Sequence, residues 1–166
     1  SARKVPLAEG LAEVFRGCHD AGYRRISLLN SFVTPALLPR TQELVKQYGF
    51  EVTDTYLGGH IYEESLAQKA VETSCLQAEA AKSMGVKCLT FSADAKRNHE
   101  RKTDDELALQ ARTLNRLGEA LRKIGVSLLI HQHSPEMAEN AREWRHMLKN
   151  TDPALVSFNL DNDWVL

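Results

Sequence analysis

The sequence lacks any apolar run long enough to cross a membrane, and it contains few cysteines. No uninterrupted apolar stretch approaches the roughly 20 residues of a membrane span, and the amino-terminal SARKVPLAEG lacks the apolar region of a signal peptide. Cys18, Cys75 and Cys88 are odd in number, widely spaced and without a Cys-x-x-Cys pair. They indicate neither a disulfide framework nor a zinc knuckle. These absences predict a cytoplasmic protein with no membrane partner.

The sequence also lacks an excess of charge of either sign. Its 166 residues include 21 Lys and Arg and 22 Asp and Glu, for a formal net charge of -1. The local basic cluster in residues 95–102 is interrupted by Glu100 and followed by Asp104 and Asp105. Because nucleic-acid binding usually requires a basic stripe, the composition predicts no nucleic-acid partner. No linker or low-complexity tract divides the chain, so residues 1–166 are predicted to form a single domain.

A pattern of helix, glycine and short apolar strand occurs four times along the chain. It occurs in DAGYRRISLLN, QYGFEVTDTYL, SMGVKCLTFSA and KIGVSLLIHQH, and a fifth strand is predicted in residues 155–161. Each glycine fits a helix C-cap, which requires the left-handed conformation. The residues that follow each glycine are rich in Val, Ile, Leu and Phe, as buried strands are. The alternation predicts right-handed βαβ units and a parallel sheet.

Helix starts are marked by three local motifs. Thr34-Pro35 predicts a helix from residue 35, Thr103 to Glu106 is a capping box, and Ser134-Pro135 predicts a helix over residues 135–149. Two α/β architectures fit this order of elements. One is a five-stranded doubly wound open sheet, and the other is a (β/α)8 barrel, which typically needs about 250 residues. Length alone favours the open sheet.

Polar residues follow the predicted strands at the edge where both architectures place their active sites. Imidazoles and carboxylates from separate strands can bind a divalent metal or transfer protons near neutral pH. Loops at this edge are polar in any α/β protein, so position alone does not establish a site. The candidates, in chain order, are His60, Arg97, His99, His131, His133, Glu136, Asp161 and Trp164.

The stretch LLIHQHSPEM, residues 128–137, concentrates these candidates. His131 and His133 are two residues apart and share a face of the strand, and Glu136 lies in the first turn of the next helix, where the dipole favours its ionised form. Such a set suits Mn²⁺, Mg²⁺, Fe²⁺ or Zn²⁺, although the two histidines can equally form a hydrogen-bonding pair. Asp161 ends the next strand, where it can serve as a second carboxylate of the site or as a helix cap. Trp164 is placed to form an apolar side of the site.

GVSLLIHQHSPEM, followed by AREWRHMLKNTDPALVSFNLDNDWVL, resembles the central portion of the xylose-isomerase-like sugar phosphate isomerase/epimerase superfamily. Members often carry a strand reading Gly-Val-x-Leu-x-x-His-x-His-x-x-Glu, then a helix, then Thr-Asp-Pro, then a strand ending Leu-Asp-x-x-Trp-Val. The similarity covers nearly the whole chain and is specific from about residue 114 onward. The matching residues are Gly125, Val126, His131, His133, Glu136, Thr151, Asp152, Pro153, Leu160, Asp161, Trp164 and Val165.

The resemblance implies a metal-dependent (β/α)8 TIM barrel that isomerises or epimerises sugars, or sugar phosphates, by proton transfer through an enediolate. The implied metal is Mn²⁺ or Mg²⁺, with Zn²⁺, Co²⁺ and Fe²⁺ as alternatives. Carried over, Glu136 and Asp161 are the expected metal ligands, and Glu136 and His131 the expected catalytic residues. In relatives whose strand reads Glu-Asn-His the ligand glutamate matches His131, so His131 either replaces that ligand or flanks the site. The expected substrate-binding residues are His60, Arg97, His99, His133 and Trp164.

The family fold has eight strands, and this chain supplies about five. Residues 1–166 are therefore expected to form a partial barrel, beginning on a helix and ending just after Asp161. Exposed strand edges need covering, which predicts a homo-oligomer, and the expected ligand is a small sugar or polyol. The alternatives are a polyol dehydratase or an endonuclease of the same superfamily, or an inactive binding or assembly module of five βα units.

Overall fold

The computed structural model describes residues 6–164, except for the side chain of His99. Val165 of the family motif therefore lies outside the described residues, as does the side chain of the predicted site residue His99. Within the described part, no helix is long and apolar enough to cross a membrane. Helices and strands alternate in the order α1 (Leu7–Asp20), β1 (Arg25–Leu29), α2 (Leu38–Tyr48), β2 (Glu51–Gly59), α3 (Glu64–Lys82), β3 (Cys88–Ala93), α4 (Asp104–Lys123), β4 (Ser127–His131), α5 (Ser134–Asn150) and β5 (Val156–Asn159).

The five strands form one parallel sheet in the order β1-β2-β3-β4-β5. Each strand pairs with the next one along the chain, so right-handed crossovers place all the connecting helices on one face. A doubly wound sheet instead reverses its strand order at a switch point. The sequential order is that of a (β/α)8 barrel and confirms the partial-barrel prediction. The alternative, a doubly wound open sheet, is wrong, because chain length cannot distinguish a small complete sheet from part of a barrel.

The two faces of the sheet differ in polarity. The face toward the helices carries large apolar side chains, such as Phe91 at 0% and Ile130 at 4% exposure, which pack against α4 residues including Leu114. Because side chains alternate along a strand, the intervening residues point to the other face, here called the inner face. The inner face is polar, and its central residues are Asp54, Tyr56, Thr90, Ser92 and His131.

Helix ends agree with the sequence at some positions and differ at others. The capping box at Thr103 is present, with reciprocal hydrogen bonds to Glu106, and Gly49 ends α2 with φ 65°. The start predicted at residue 35 is wrong: α2 begins at Leu38, with proline in its first turn, after a turn closed by the Thr34 carbonyl. Prolines at positions 35 and 39 both suit a first turn, so local sequence could not choose between them.

Helix α5 is interrupted near its start. Glu139, Asn140 and Ala141 have φ values of 51°, 59° and 58°, in the left-handed region. The predicted continuous helix over residues 135–149 is therefore wrong in this part. The segment contains neither glycine nor an internal proline, so the sequence offers no local reason for the break.

Two helical glycines should respond oppositely to alanine. At Gly118 in α4 an added Cβ would lie 2.5 Å from the carbonyl oxygen of Leu155, whereas at Gly17 in α1 it would meet nothing within 4 Å. We expect Gly118→Ala to lower the free energy of unfolding by about 1–3 kcal/mol, since backbone must move. We expect Gly17→Ala to raise it by about 0.5–1 kcal/mol. Urea unfolding measures both, and equal effects would contradict the close approach of α4 to Leu155.

Candidate active site at the carboxyl edge of the sheet

The carboxyl ends of β4 and β5 bring His131 and Asp161 together. His131 is the last residue of β4, and Asp161 follows β5 by two residues. His131 Nε2 and Asp161 Oδ2 are 3.9 Å apart, with the two side chains 13% and 37% exposed. This separation is too long for a hydrogen bond. Two ligands at about 2.0–2.2 Å from one divalent cation lie at most about 4.4 Å apart, so this pair is within reach of a shared ion.

His133 lies beside this pair, at the start of the β4–α5 connection. Its ring is edge-on to His131, with 4.7 Å between ring centroids, and edge-on to Trp164 at 5.3 Å. Burial lowers the pKa of His133 from its usual 6.5, the neighbouring His131 lowers it further, and the charge of Asp161 opposes the shift. The lowered pKa favours the neutral ring of His133, whose unprotonated nitrogen can accept a hydrogen bond.

Tyr56 and Ser92, which no sequence motif marks as functional, contact the two histidines from the inner face. Tyr56 Oη and Ser92 Oγ are 2.7 Å apart, and Ser92 Oγ donates to the carbonyl oxygen of His131 at 3.3 Å. The Tyr56 hydroxyl lies 3.5 Å from His133 Nε2, and its ring is edge-on to His131. The alternation of side chains along β2 and β3 could have revealed them, because it places both on the same face as His131.

Glu136 lies apart from the inner face, in the first turn of α5. Its Oε2 accepts a hydrogen bond from the backbone N–H of His133 at 3.0 Å, and the residue is 6% exposed. Burial raises the pKa of Glu136, while hydrogen bonds from the backbone of Glu136 and His133 act in the opposite direction. The carboxyl group therefore caps its own helix, and its predicted roles as metal ligand and catalytic residue remain predictions.

The other predicted substrate-binding residues have local contacts. His60 Nε2 lies 3.0 Å from Glu63 Oε1, and its ring stacks on Tyr62 at 3.9 Å between centroids. Arg97 is exposed in the short 3-10 helix Arg97–His99 that follows β3. His60 lies in the β2–α3 connection and Arg97 in the β3–α4 connection. Both side chains are among those that the structure describes, and neither contacts the cluster, which consists of His131, His133, Asp161 and Trp164.

A cleft of about 560 Å³ opens beside the cluster. His133 and Trp164 line one part of it, and the β3–α4 connection and the start of α5 line the rest. Its charged lining residues, taken together, balance closely in sign. They are Lys96, Glu100, Arg101, Lys102, Glu139, Arg142 and Glu143.

The donor set fits a divalent cation in part. His131 and Asp161 offer an imidazole nitrogen and a carboxylate oxygen at a suitable separation. Among the side chains that the structure describes, which leave out His99, no three from His, Cys, Asp or Glu are arranged to hold a metal ion. A cation held here would take its remaining ligands from water, from substrate or from residues other than those described.

Removing either neighbour of His133 should shift its pKa, and the two neighbours should shift it in opposite directions. We expect His131→Gln to raise the pKa of His133, because the neighbouring imidazole that lowers it is removed. We expect Asp161→Asn to lower it, because a negative charge is removed. Since burial is the largest cause, the pKa should stay below 6.5 in both variants. An NMR titration of the His133 ring measures these shifts, and shifts of the same sign would contradict the arrangement.

A parallel sheet with sequentially ordered strands and connecting helices is the architecture of the α/β barrel proteins. The described part of this chain carries five strands and five α-helices of such a barrel. The chain belongs to the xylose isomerase-like TIM barrel family, whose model matches residues 8–164. No curated protein sequence matches the chain at a significant level.

Solved structures share this fold. A sugar phosphate isomerase/epimerase from Parabacteroides distasonis is 20% identical, with TM-score 0.74 over 95% of this chain and 62% of that one. A D-allulose 3-epimerase from Methylomonas sp. is 15% identical, with TM-score 0.75 over 93% and 57% of the two chains. A xylose isomerase-like TIM barrel protein from Mycobacterium smegmatis in complex with magnesium is 12% identical, with TM-score 0.74 over 94% and 57%.

At these identities the likeness shows the fold alone. The matched structures also include a family 2 AP endonuclease and a dehydratase, so the fold serves more than one reaction class. The chain spans about three fifths of the length of the structures described above.

Proposed function

We propose that this chain carries part of the active site of a divalent-metal-dependent sugar or sugar phosphate isomerase or epimerase. The observation that carries the proposal is the pair His131 Nε2 and Asp161 Oδ2, 3.9 Å apart at the carboxyl edge, with His133 beside it. Family membership and the sugar-converting structural relatives support the same reaction class. The proposed partner is a small sugar or polyol, and the proposed metal is Mn²⁺ or Mg²⁺.

Asp161 and His131 would hold the metal. A divalent cation at this position supplies Lewis-acid polarisation of a substrate carbonyl, which makes the neighbouring C–H more acidic. His133, with its pKa below the usual range, would offer a neutral ring nitrogen to a substrate hydroxyl. Trp164, 40% exposed beside His133, would cover an apolar face of the substrate and limit access of water.

Proton transfer is assigned to Glu136, one of the two catalytic residues, with His131, that the family resemblance implies. A carboxyl group whose pKa is raised toward neutrality is a better general acid and base than an ordinary one, and burial raises the pKa of Glu136. Its hydrogen bond to the His133 backbone keeps it at the start of α5, next to the cluster. The assignment therefore rests on the acidity of Glu136 and on its place beside His133.

Deuterium exchange tests the proposal. The protein is incubated with Mn²⁺ and a panel of pentoses, hexoses and their phosphates in D₂O, and the products are followed by NMR. We expect deuterium at the carbon next to the carbonyl, together with formation of an isomer or epimer, and loss of both with EDTA. A Mn²⁺-loaded protein that exchanges no substrate would contradict the proposal. Loss of water from a polyol would indicate a dehydratase, and cleavage of abasic DNA an endonuclease.

A further inference from the structure

Gln132, between the two histidines, makes an unusual pair of contacts. Its side chain is fully buried, at 0% exposure. The amide Nε2 donates to the carbonyl oxygen of Asp161 at 2.8 Å, and the amide Oε1 accepts from the backbone N–H of Asp161 at 3.2 Å. The side-chain amide of Gln132 therefore bonds to the backbone of Asp161 through its donor and its acceptor, and it engages the C=O and the N–H of that one residue.

These contacts continue the pairing of β4 with β5 beyond the end of the strands. The last backbone register pair is His131 with Asn159, two residues before Asp161. The side-chain amide of Gln132 presents a donor and an acceptor side by side, as a peptide unit of a neighbouring strand does. Because a buried amide without partners is costly, the position of Asp161 is coupled to that of Gln132.

The backbone contact bears directly on the carboxylate of Asp161. Asp161 Oδ1 accepts from the N–H of Asp163 at 3.0 Å, which leaves Oδ2 toward His131. With the backbone held by Gln132 and one carboxylate oxygen held by Asp163, the direction of the other oxygen is set. Without Gln132, the backbone of Asp161 would lose its two side-chain hydrogen bonds to the β4 side. The segment after β5 would keep its local turn and the contact of Trp164 with His133.

We propose that Gln132 is a positioning residue that holds the Asp161 carboxylate opposite His131. The positioning role itself is independent of the proposed function. Only its effect on metal binding by His131 and Asp161 rests on that function. The proposal concerns the middle residue of the His-Gln-His motif, whose side chain contacts the backbone of Asp161.

The test compares Gln132→Leu with the matched control Gln77→Leu. Gln77 is also buried, at 8% exposure, and its Nε2 donates to Thr55 Oγ1 at 2.7 Å, without contact to Asp161. Gln132→Glu serves as a second variant of nearly equal size, which keeps an acceptor but loses the donor toward the Asp161 carbonyl. The amide of Phe91, at the centre of β3, reports whether each variant remains folded.

Two NMR measurements report the position of Asp161 without any metal. We expect the Asp161 amide to exchange with solvent at least about tenfold faster in Gln132→Leu, as loss of one hydrogen bond implies, with Phe91 unchanged. We also expect the cross-peak between the His131 ring and the Asp161 β-protons to disappear. Gln77→Leu should change neither, and Gln132→Glu should lose the cross-peak with a smaller increase in exchange.

A Mn²⁺ titration of the same proteins separates this proposal from the proposed function. We expect the dissociation constant to rise about 10- to 100-fold in Gln132→Leu, as for loss of other partners that orient a ligand. Unchanged exchange and an unchanged cross-peak would overturn the positioning role, whatever the metal does. If the wild-type protein binds no Mn²⁺ but Gln132→Leu loses the cross-peak, the positioning role is supported and the proposed metal is rejected.

Discussion

Asp161→Asn is expected to weaken Mn²⁺ binding by at least about 100-fold, more than the loss of a partner outside the ligand shell. The replacement is nearly isosteric, and its amide oxygen can still accept the hydrogen bond from the N–H of Asp163. What it removes is the negative charge beside His131. Hard divalent cations such as Mn²⁺ bind carboxylate oxygen strongly, so the variant should fold normally and lose metal. Isothermal titration with MnCl₂ measures the change.

Asp152→Asn is the matched control for this substitution. Asp152 lies at the amino end of β5, and its Oδ1 accepts a hydrogen bond from the N–H of Ala154 at 2.8 Å, the same local turn that Asp161 makes with Asp163. The two variants therefore lose the same charge from equivalent turns at opposite ends of one strand. We expect Asp152→Asn to bind Mn²⁺ like the wild-type protein. Equal affinities in all three proteins would remove Asp161 from the site.

The same titration identifies the partner of Asp161. The resemblance implies Glu136 as the second ligand, whereas the structure places His131 Nε2 3.9 Å from Asp161 Oδ2 and Glu136 in a helix cap. Weaker binding in His131→Gln with little change in Glu136→Gln would favour the histidine. The reverse result would show that the Glu136 carboxylate leaves its cap when the metal binds.

The fold was accessible from the sequence because its determinants are local. Gly49 ends α2, and the capping box at Thr103 opens α4, each through contacts between residues close in the chain. The apolar runs after the glycines could be assigned to strands for the same reason. The order of those strands is a long-range property, and only the family resemblance favoured the sequential order over a doubly wound sheet.

The candidate site was accessible only in part, because several of its contacts join residues far apart in sequence. His131, His133 and Asp161 were identifiable, since residues at the ends of neighbouring strands meet at one edge. The contact of Gln132 with Asp161 spans 29 positions, and that of Tyr56 with Ser92 spans 36. Neither Gln132 nor Tyr56 belongs to a residue type that marks catalysis by itself. Alternation along β2 could have placed Tyr56 on the inner face, whereas the contact of Gln132 with Asp161 depends on how the ends of β4 and β5 meet.

Lys102→Met is expected to lower the free energy of unfolding by about 3–5 kcal/mol, the usual cost of breaking a buried ion pair. Lys102 Nζ lies 2.6 Å from Glu143 Oε1 and 2.9 Å from Gln110 Oε1, with side-chain exposures of 3% for the lysine and 11% for Glu143. The ammonium group also lies over the ring of Tyr62. Its removal leaves the Glu143 carboxylate buried without a counter-charge. The midpoint of urea unfolding at pH 7 measures the loss.

Two comparisons separate this effect from a simple loss of charge. The exposed pair of Arg25 with Glu51 has side-chain exposures of 69% and 63%, so Arg25→Met should cost no more than about 1 kcal/mol. Combining Lys102→Met with Glu143→Leu should recover part of the stability, because it removes the unpaired buried charge. The recovery is incomplete because the buried amide of Gln110 loses its contacts with both side chains. If the double variant is as unstable as Lys102→Met alone, the cost does not come from the unpaired carboxylate. The lysine then stabilises the β3–α4 connection chiefly through its contacts with Gln110 and Tyr62.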